Sequence, residues 1–288
     1  MDNAKDYIHD SIIQGTEPTV FREELNEIKL RDEDELMRVL NDQRYPPLRE
    51  AARYGRNQLA QILLEFGADR TLRDPENDLA VHTAAKYDQV EVLKTLLVNA
   101  ENDIEKFGKH DWSPLLCAIY YTSKNSVTYI LENHKPACFS WNCKVDSKGP
   151  KTHPLYFAAS VIFAESDNST VVMRACIKGI AREPEKKYSS SEIMRLLMDH
   201  GCPTDCEGEH LVIEAVRVKQ LAESAKGVLH TLKNLVEHGK PSKLDLKKAK
   251  EIVERRLSET TDEKFRRNLE QVRTYLTNLM KITDESTS

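Results

Sequence analysis

The sequence predicts an all-α fold built from stacked, antiparallel helix pairs. Three observations carry the expectation. One sequence unit returns at regular spacing, with Leu48, Val81 and Leu115 lying 33 and 34 residues apart. Apolar residues outside the repeats recur at helical intervals. The 288 residues include only 10 Gly and 11 Pro, too few turn formers for a many-stranded sandwich or barrel.

The first unit is the clearest. Pro47-Leu48-Arg49-Glu50-Ala51-Ala52-Arg53-Tyr54-Gly55 leads into Gln58-Leu59-Ala60-Gln61-Ile62-Leu63-Leu64-Glu65-Phe66-Gly67-Ala68-Asp69. A second unit pairs Ala80-Val81-His82-Thr83-Ala84-Ala85 with Val90 to Leu97. A third pairs Ser113-Pro114-Leu115-Leu116-Cys117-Ala118 with Val127 to Leu131. A fourth is split: Pro154 to Ala159 resumes only at Ile193 to Gly201, with about 27 residues between. A fifth opens at Asp205-Cys206-Glu207-Gly208 and closes at Leu232, Leu235, Val236 and Gly239.

These units resemble the ankyrin repeat: a turn, a thin inner helix with an Ala pair, a Gly turn, an apolar outer helix and a Gly-Ala-Asp ending. The resemblance covers residues 45–240 and implies an ankyrin-repeat solenoid with finger turns. A helix pair of this kind cannot bury its apolar face alone, so neighbours must stack. Gly55, Gly67, Gly201 and Gly239 are expected to end helices in the left-handed conformation. Asp88 and Thr122 replace the mid-repeat glycine, and Ala80 replaces the turn proline, so repeats two and three are expected to be less regular.

Helical caps are expected at both ends. Residues 1–44 form an acidic cap with three helices, marked by Tyr7, Ile8, Ile12 and Ile13, by Phe21, Leu25 and Ile28, and by Leu36, Met37, Val39 and Leu40 behind an Asp32 N-cap. Residues 45–241 form the stack, with an insertion at 160–191 inside the fourth repeat. Residues 242–288 form a helical hairpin broken at Thr260-Thr261-Asp262.

Charge narrows the partner classes. The net charge of −5 disfavours nucleic acid. It is concentrated in residues 1–44, which hold 12 acidic and 6 basic residues. No apolar run reaches the ~18 residues of a membrane helix. The N-terminal residues lack a signal-peptide pattern, and six cysteines form no paired framework. The expectation is a cytoplasmic monomer that binds a protein, touching neither membrane nor nucleic acid. The basic residues of the C-terminal hairpin, Lys247, Lys248, Lys250, Arg255, Arg256, Arg266 and Arg267, read as a solvated face with Glu251 and Glu254 interleaved.

Catalytic signatures are missing: no phosphate loop, nucleophile elbow or kinase motif can be found. The chain is therefore expected to be non-enzymatic, with no cofactor and no metal. Two Cys/His groupings, His134/Cys138/Cys143/His153 and His200/Cys202/Cys206/His210, match no common zinc spacing. His82 occupies the repeat's turn position and is expected to bond neighbouring backbone.

The resemblance assigns an outward-facing groove to the finger turns and the inner-helix ends. Its positions here are Tyr45, Asp78 and Trp112 on the fingers and Arg53, Tyr54, Lys86, Tyr87, Tyr120 and Tyr121 on the helices. Five of the ten tyrosines and one of the two tryptophans thus fall on the expected partner-binding face. Tyr, Trp and Arg are the residues enriched at binding hot spots. The leading reading is an adaptor that binds a partner through repeats one to three. A second is a translocated bacterial effector acting inside a host cell, motivated by the interrupted repeats and the tail Thr283 to Ser288. An enzyme or metal protein using the insertion or flanks ranks third.

Overall fold

The computed structural model describes residues 3–109, 112–134, 185–202, 205–206, 209–217 and 225–285. The first half of the fourth repeat, most of the insertion, and Cys138, Cys143 and His153 lie outside the described residues. The chain divides into two compact units, residues 1–139 and 140–288.

In the first unit, α1 (Asn3–Gln14), α2 (Pro18–Arg31) and α3 (Glu33–Leu40) precede three helix pairs. These are α4 (Pro47–Tyr54) with α5 (Asn57–Glu65), α6 (Ala80–Lys86) with α7 (Val90–Leu97), and α8 (Pro114–Tyr120) with α9 (Lys124–Asn133). A 3-10 turn, Glu101–Glu105, follows the second pair. The inner helices stack in the order α4, α6, α8, and the outer ones in the order α5, α7, α9. The inner faces are small: Ala51, Ala52, Ala84, Ala85 and Ala118 are completely buried. The expected cap behaves as a further pair, with α1 on α4 and α2 on α5, burying Ile8, Ile12, Phe21 and Leu25.

The second unit repeats the scheme. Here α10 (Glu185–Asp199) is followed by a two-residue antiparallel pairing, with Asp205 opposite His210 and Cys206 opposite Glu209. Then come α11 (Leu211–Arg217), α12 (Ala225–Glu237), α13 (Lys243–Glu259) and α14 (Glu263–Glu285). The hairpin α13/α14 stacks on α11/α12 as another repeat would, α13 on α11 and α14 on α12. Leu246, Ala249, Val253, Leu269, Val272 and Leu276 form its buried seam. The Thr260–Asp262 break is where the sequence places it, and the Asp262 carboxylate accepts from the Phe265 N–H at 2.8 Å.

Helix ends follow their side chains. Asp32 accepts from the Glu35 N–H at 2.8 Å, and Glu33, Asp34 and Glu35 complement the first-turn dipole of α3. Arg56 donates to the carbonyls of Ile12 and Ile13 at 3.0 and 2.8 Å, filling acceptors at the end of α1. Gly15, at φ +75°, makes room for that guanidinium: a Cβ there would lie 2.6 Å from it. Arg256 plays the same part in the second unit, donating to the Val216 carbonyl at 2.6 Å.

Two sequence expectations need correction. Gly239 is not a left-handed residue; Lys240 is, at φ 45°. Asp88 and Thr122 do not make repeats two and three irregular. Both adopt the left-handed conformation of Gly55, at φ 59° and 58° against 69°. For Asp88 the local cost is offset, because its carboxylate accepts from the Ser126 N–H at 2.7 Å and from the Asn125 side chain at 2.9 Å. The Thr122 hydroxyl reaches only its neighbour's carbonyl, Tyr121 O, at 2.7 Å.

Without a turn proline, repeat two starts on His82. Its Nδ1 accepts from the Leu79 N–H at 3.2 Å, which leaves Nε2 to donate to the Lys106 carbonyl at 3.0 Å. The ring is therefore neutral in the fold. Burial pushes its pKa below the ordinary 6.5, with the nearby Asp78 carboxylate partly opposing.

The same glycine position should respond with opposite sign in two repeats. Thr122→Gly relieves a β-branched residue of left-handed strain and should stabilise by about 1 kcal/mol. Asp88→Gly removes two charge-assisted bonds and should destabilise by about 1–2 kcal/mol. Chemical denaturation of both variants checks this. For His82 the unfolded state binds the proton more readily than the folded one, so its contribution is full above pH 6.5 and is lost as pH falls below that value. Melting temperature followed from pH 7.5 to 5.5 should drop, and His82→Gln should flatten part of the drop.

Candidate functional site

The tyrosines at the ends of α4, α6 and α8 form an exposed row. Tyr54, Tyr87 and Tyr121 keep 39%, 39% and 37% of their surface accessible; Tyr45, ahead of α4, keeps 45%. Each inner helix must end here: Gly55, Asp88 or Thr122 turns the chain one residue later, so the preceding side chain is lifted off the buried face.

Cations separate the rings. Arg53 lies 5.6 Å from the ring centres of both Tyr54 and Tyr87. Lys86 lies 5.4 Å from Tyr87 and 4.5 Å from Tyr121. Each cation thus bridges its own repeat to the next, in the order Tyr54, Arg53, Tyr87, Lys86, Tyr121. Attraction between a cation and a ring face is worth about 0.5–1 kcal/mol when exposed. Desolvation works against the Lys86 ammonium, but the Tyr121 phenol oxygen and nearby charge, Glu76 included, outweigh it. Its pKa stands above the usual lysine value.

The third repeat departs from the expected outward face. Trp112 and Tyr120 are buried, at 6% and 4% accessible. Their rings meet at 4.5 Å between centres, inclined at 55°. Tyr120 occupies the position of Arg53 and Lys86 without a charged head to hold it in water. It folds onto Trp112, and each ring covers the other. Tyr120 also meets Tyr121 edge-on at 5.2 Å, so the buried pair backs the last exposed ring.

Asp78 is half-buried, and its carboxylate accepts from the Lys109 N–H at 2.6 Å, tying one finger to the next. The finger itself is set by Asp74, whose carboxylate accepts from the N–H groups of Glu76 and Asp78 at 2.8 and 2.9 Å. Asp74 also pairs with Arg49 at 3.0 Å.

One contributor escaped the sequence reading. Arg44 lies 5.5 Å from the Tyr45 ring, with Lys5 at 4.9 Å. The signal was available: a cation directly before a tyrosine recurs as Arg44-Tyr45, Arg53-Tyr54 and Lys86-Tyr87.

Elsewhere the surface offers less. A shallow groove of about 710 Å³ between α7 and α9 is lined by charged and polar side chains such as Lys94, Lys124, Asn125 and Glu132. Among the described residues no cluster of three or more His, Cys, Asp or Glu is arranged to hold a metal. His200 bonds the Leu196 carbonyl of its own helix, and Cys202 is buried. The side chains of Cys206 and His210 lie outside the described residues. The basic hairpin face is interleaved with acid: Lys250 pairs with Glu254, Arg255 with Glu259 and Arg267 with Glu263.

The comparisons agree with the architecture. Residues 48–140 match the model of the family described as ankyrin repeats, in three copies. Rabankyrin-5 of Mus musculus is 28% identical over 103 residues, and that of Homo sapiens 27% over 103 residues. The match covers 36% of this chain and 8% of those relatives, so this chain answers to a small part of them. Among solved structures, the ankyrin repeat domain of Bcl-3 superposes with a TM-score of 0.53 at 19% identity, covering 81% of this chain and 85% of that one. That likeness speaks to the fold. The repeat period, the stacked helix pairs and the family match converge: residues 48–140 match ankyrin repeats, and the fold is that of an ankyrin-repeat stack.

Proposed function

We propose that the chain is a non-enzymatic adaptor that holds a protein partner on the tyrosine–cation row of repeats one to three. Ankyrin repeats are in general protein–protein interaction modules, and that much follows from the family. The finer reading rests on one observation: three exposed tyrosines on successive repeats, in register with bridging cations. An aromatic row left in water is more than packing needs, and Tyr and Arg are the residues that dominate interface energetics. Tyr54, Arg53, Tyr87, Lys86 and Tyr121 make the centre of the site, and Tyr45 with Arg44 its edge. Trp112 and Tyr120 support it from beneath and do not touch the partner.

The working compartment we propose is the cytoplasm. Cys117 is a buried free thiol, which suits a reducing environment. No helix among the described residues is long and apolar enough to cross a membrane.

A photo-crosslinking amino acid at Tyr87 should capture a discrete partner in cells, whereas one at Met37, away from the row, should not. The Tyr54→Ala/Tyr87→Ala/Tyr121→Ala variant should weaken that partner's binding by about 30-fold or more, with melting temperature nearly unchanged. Trp112→Ala should do the reverse, costing about 3 kcal/mol of stability by opening a cavity. A large drop in melting temperature for the triple variant would mean that the row serves packing instead.

A further inference from the structure

We infer that the partner segment seated on this row is an acidic peptide whose carboxylates pair with Arg53 and Lys86. The inference rests on the adaptor reading above and adds the partner's chemistry.

Its ground is how the first unit disposes of its positive charge. Away from the row, most cations of the first unit are paired with carboxylates. Lys5 pairs with Asp42, Arg22 with Glu65, Lys29 with Glu33, Arg31 with Glu35 and Arg38 with Asp32. Arg49 pairs with Asp74, Lys94 with Glu91, Lys106 with Asp103 and Lys109 with Glu76. Arg56, Arg70 and Arg73 fill backbone carbonyls. Arg44, Arg53 and Lys86 differ. Among the described residues no carboxylate lies within 4.0 Å of their charged side-chain groups, and each of these groups rests against tyrosine rings. Among the described residues of the first unit, Arg53 and Lys86 thus stand together on the aromatic row with neither a carboxylate nor a backbone carbonyl on their charged heads.

A ring face steadies a cation without neutralising it, and leaves its outer donors open. A carboxylate arriving from the partner therefore finds a positioned donor and need not break an existing ion pair. The alternation of ring and cation sets what the segment must carry: acidic side chains opposite Arg53 and Lys86, with apolar or aromatic side chains between them, over Tyr54, Tyr87 and Tyr121. A nucleic acid strand would also meet cations and rings, but its uniform phosphate charge would feel the acidic cap of residues 1–44, net −6 from 12 acidic and 6 basic residues. A peptide can confine its charge to two positions.

The test uses the full chain and fluorescein-labelled poly(Glu,Tyr) 1:1 copolymer, read by anisotropy, with poly(Lys,Tyr) and a 20-mer of deoxythymidine as comparison probes. The wild type should bind poly(Glu,Tyr) in preference to both. Arg53→Gln/Lys86→Gln should weaken that binding at least tenfold and flatten its salt dependence. Arg53→Lys/Lys86→Arg should restore most of it, which separates charge from a folding defect. Lys94→Gln, an exposed cation on an outer helix, should change nothing. The inference is overturned if poly(Glu,Tyr) does not bind, if Lys94→Gln is as damaging as the double variant, or if the oligonucleotide binds more tightly. A partner still captured through position 87 by the double Gln variant at full strength would sink the acidic chemistry alone. No capture at that position would sink the adaptor reading beneath it.

Discussion

Everything in this fold depends on a face that no single helix pair can bury. The inner helices carry alanine where a core would carry leucine, so their backbones approach closely and the leucines of the outer helices fill the space behind. A pair so built is stable only when something is stacked against it. The ends of a stack are therefore its weak point, and both units answer with the same device. A cap of unrelated sequence copies the repeat's shape, and an arginine ties a helix C-terminus across that junction, Arg56 in one unit and Arg256 in the other. Carbonyls at a helix end are in want of donors and carry partial negative charge, so one guanidinium serves two needs there.

The same stacking creates the exposed tyrosine face. In repeats one to three each inner helix stops at a left-handed residue, and the side chain just before it cannot join the buried seam. Repetition then turns a local accident of geometry into a row. Tyrosine fits that position because its ring can lie along the row while its hydroxyl stays wet. Cations fit beside it because a ring holds them without removing their charge. In the third repeat a second aromatic takes the cation's place, and the row ends in a buried stack of Trp112 on Tyr120.

Most of the fold was legible because the repeat period fixes both which helices exist and which faces meet. Asp32, Asp262 and His82 act as their positions imply, since capping is a local matter. The candidate site was legible in part. The sequence placed Tyr54, Tyr87 and Tyr121 correctly at helix ends, but it treated Trp112 and Tyr120 as equivalent to their counterparts. Whether an aromatic points outward depends on what its neighbour offers, and two adjacent aromatics prefer each other to water. Periodicity carries no such information. The same limit explains Asp88: the pattern shows a lost glycine, while the compensating bonds to Asn125 and Ser126 come from the next repeat. Arg44 was missed because it stands just outside the repeat boundary.

Asp88 also has a bearing on how the stack comes apart. At the equivalent place in repeat one stands Gly55, which has no side chain to reach forward. Repeats two and three are thus latched by a carboxylate that belongs to one and bonds the other, whereas repeats one and two rely at this point on surface contact. In a nearest-neighbour description the coupling between adjacent repeats is uneven along the chain. Under mechanical tension, or in spontaneous opening, repeats two and three should yield as one cooperative block. The central rungs, Tyr87 and Lys86 with Tyr121, ride on that block, so they would keep their register even while the neighbouring repeat frays.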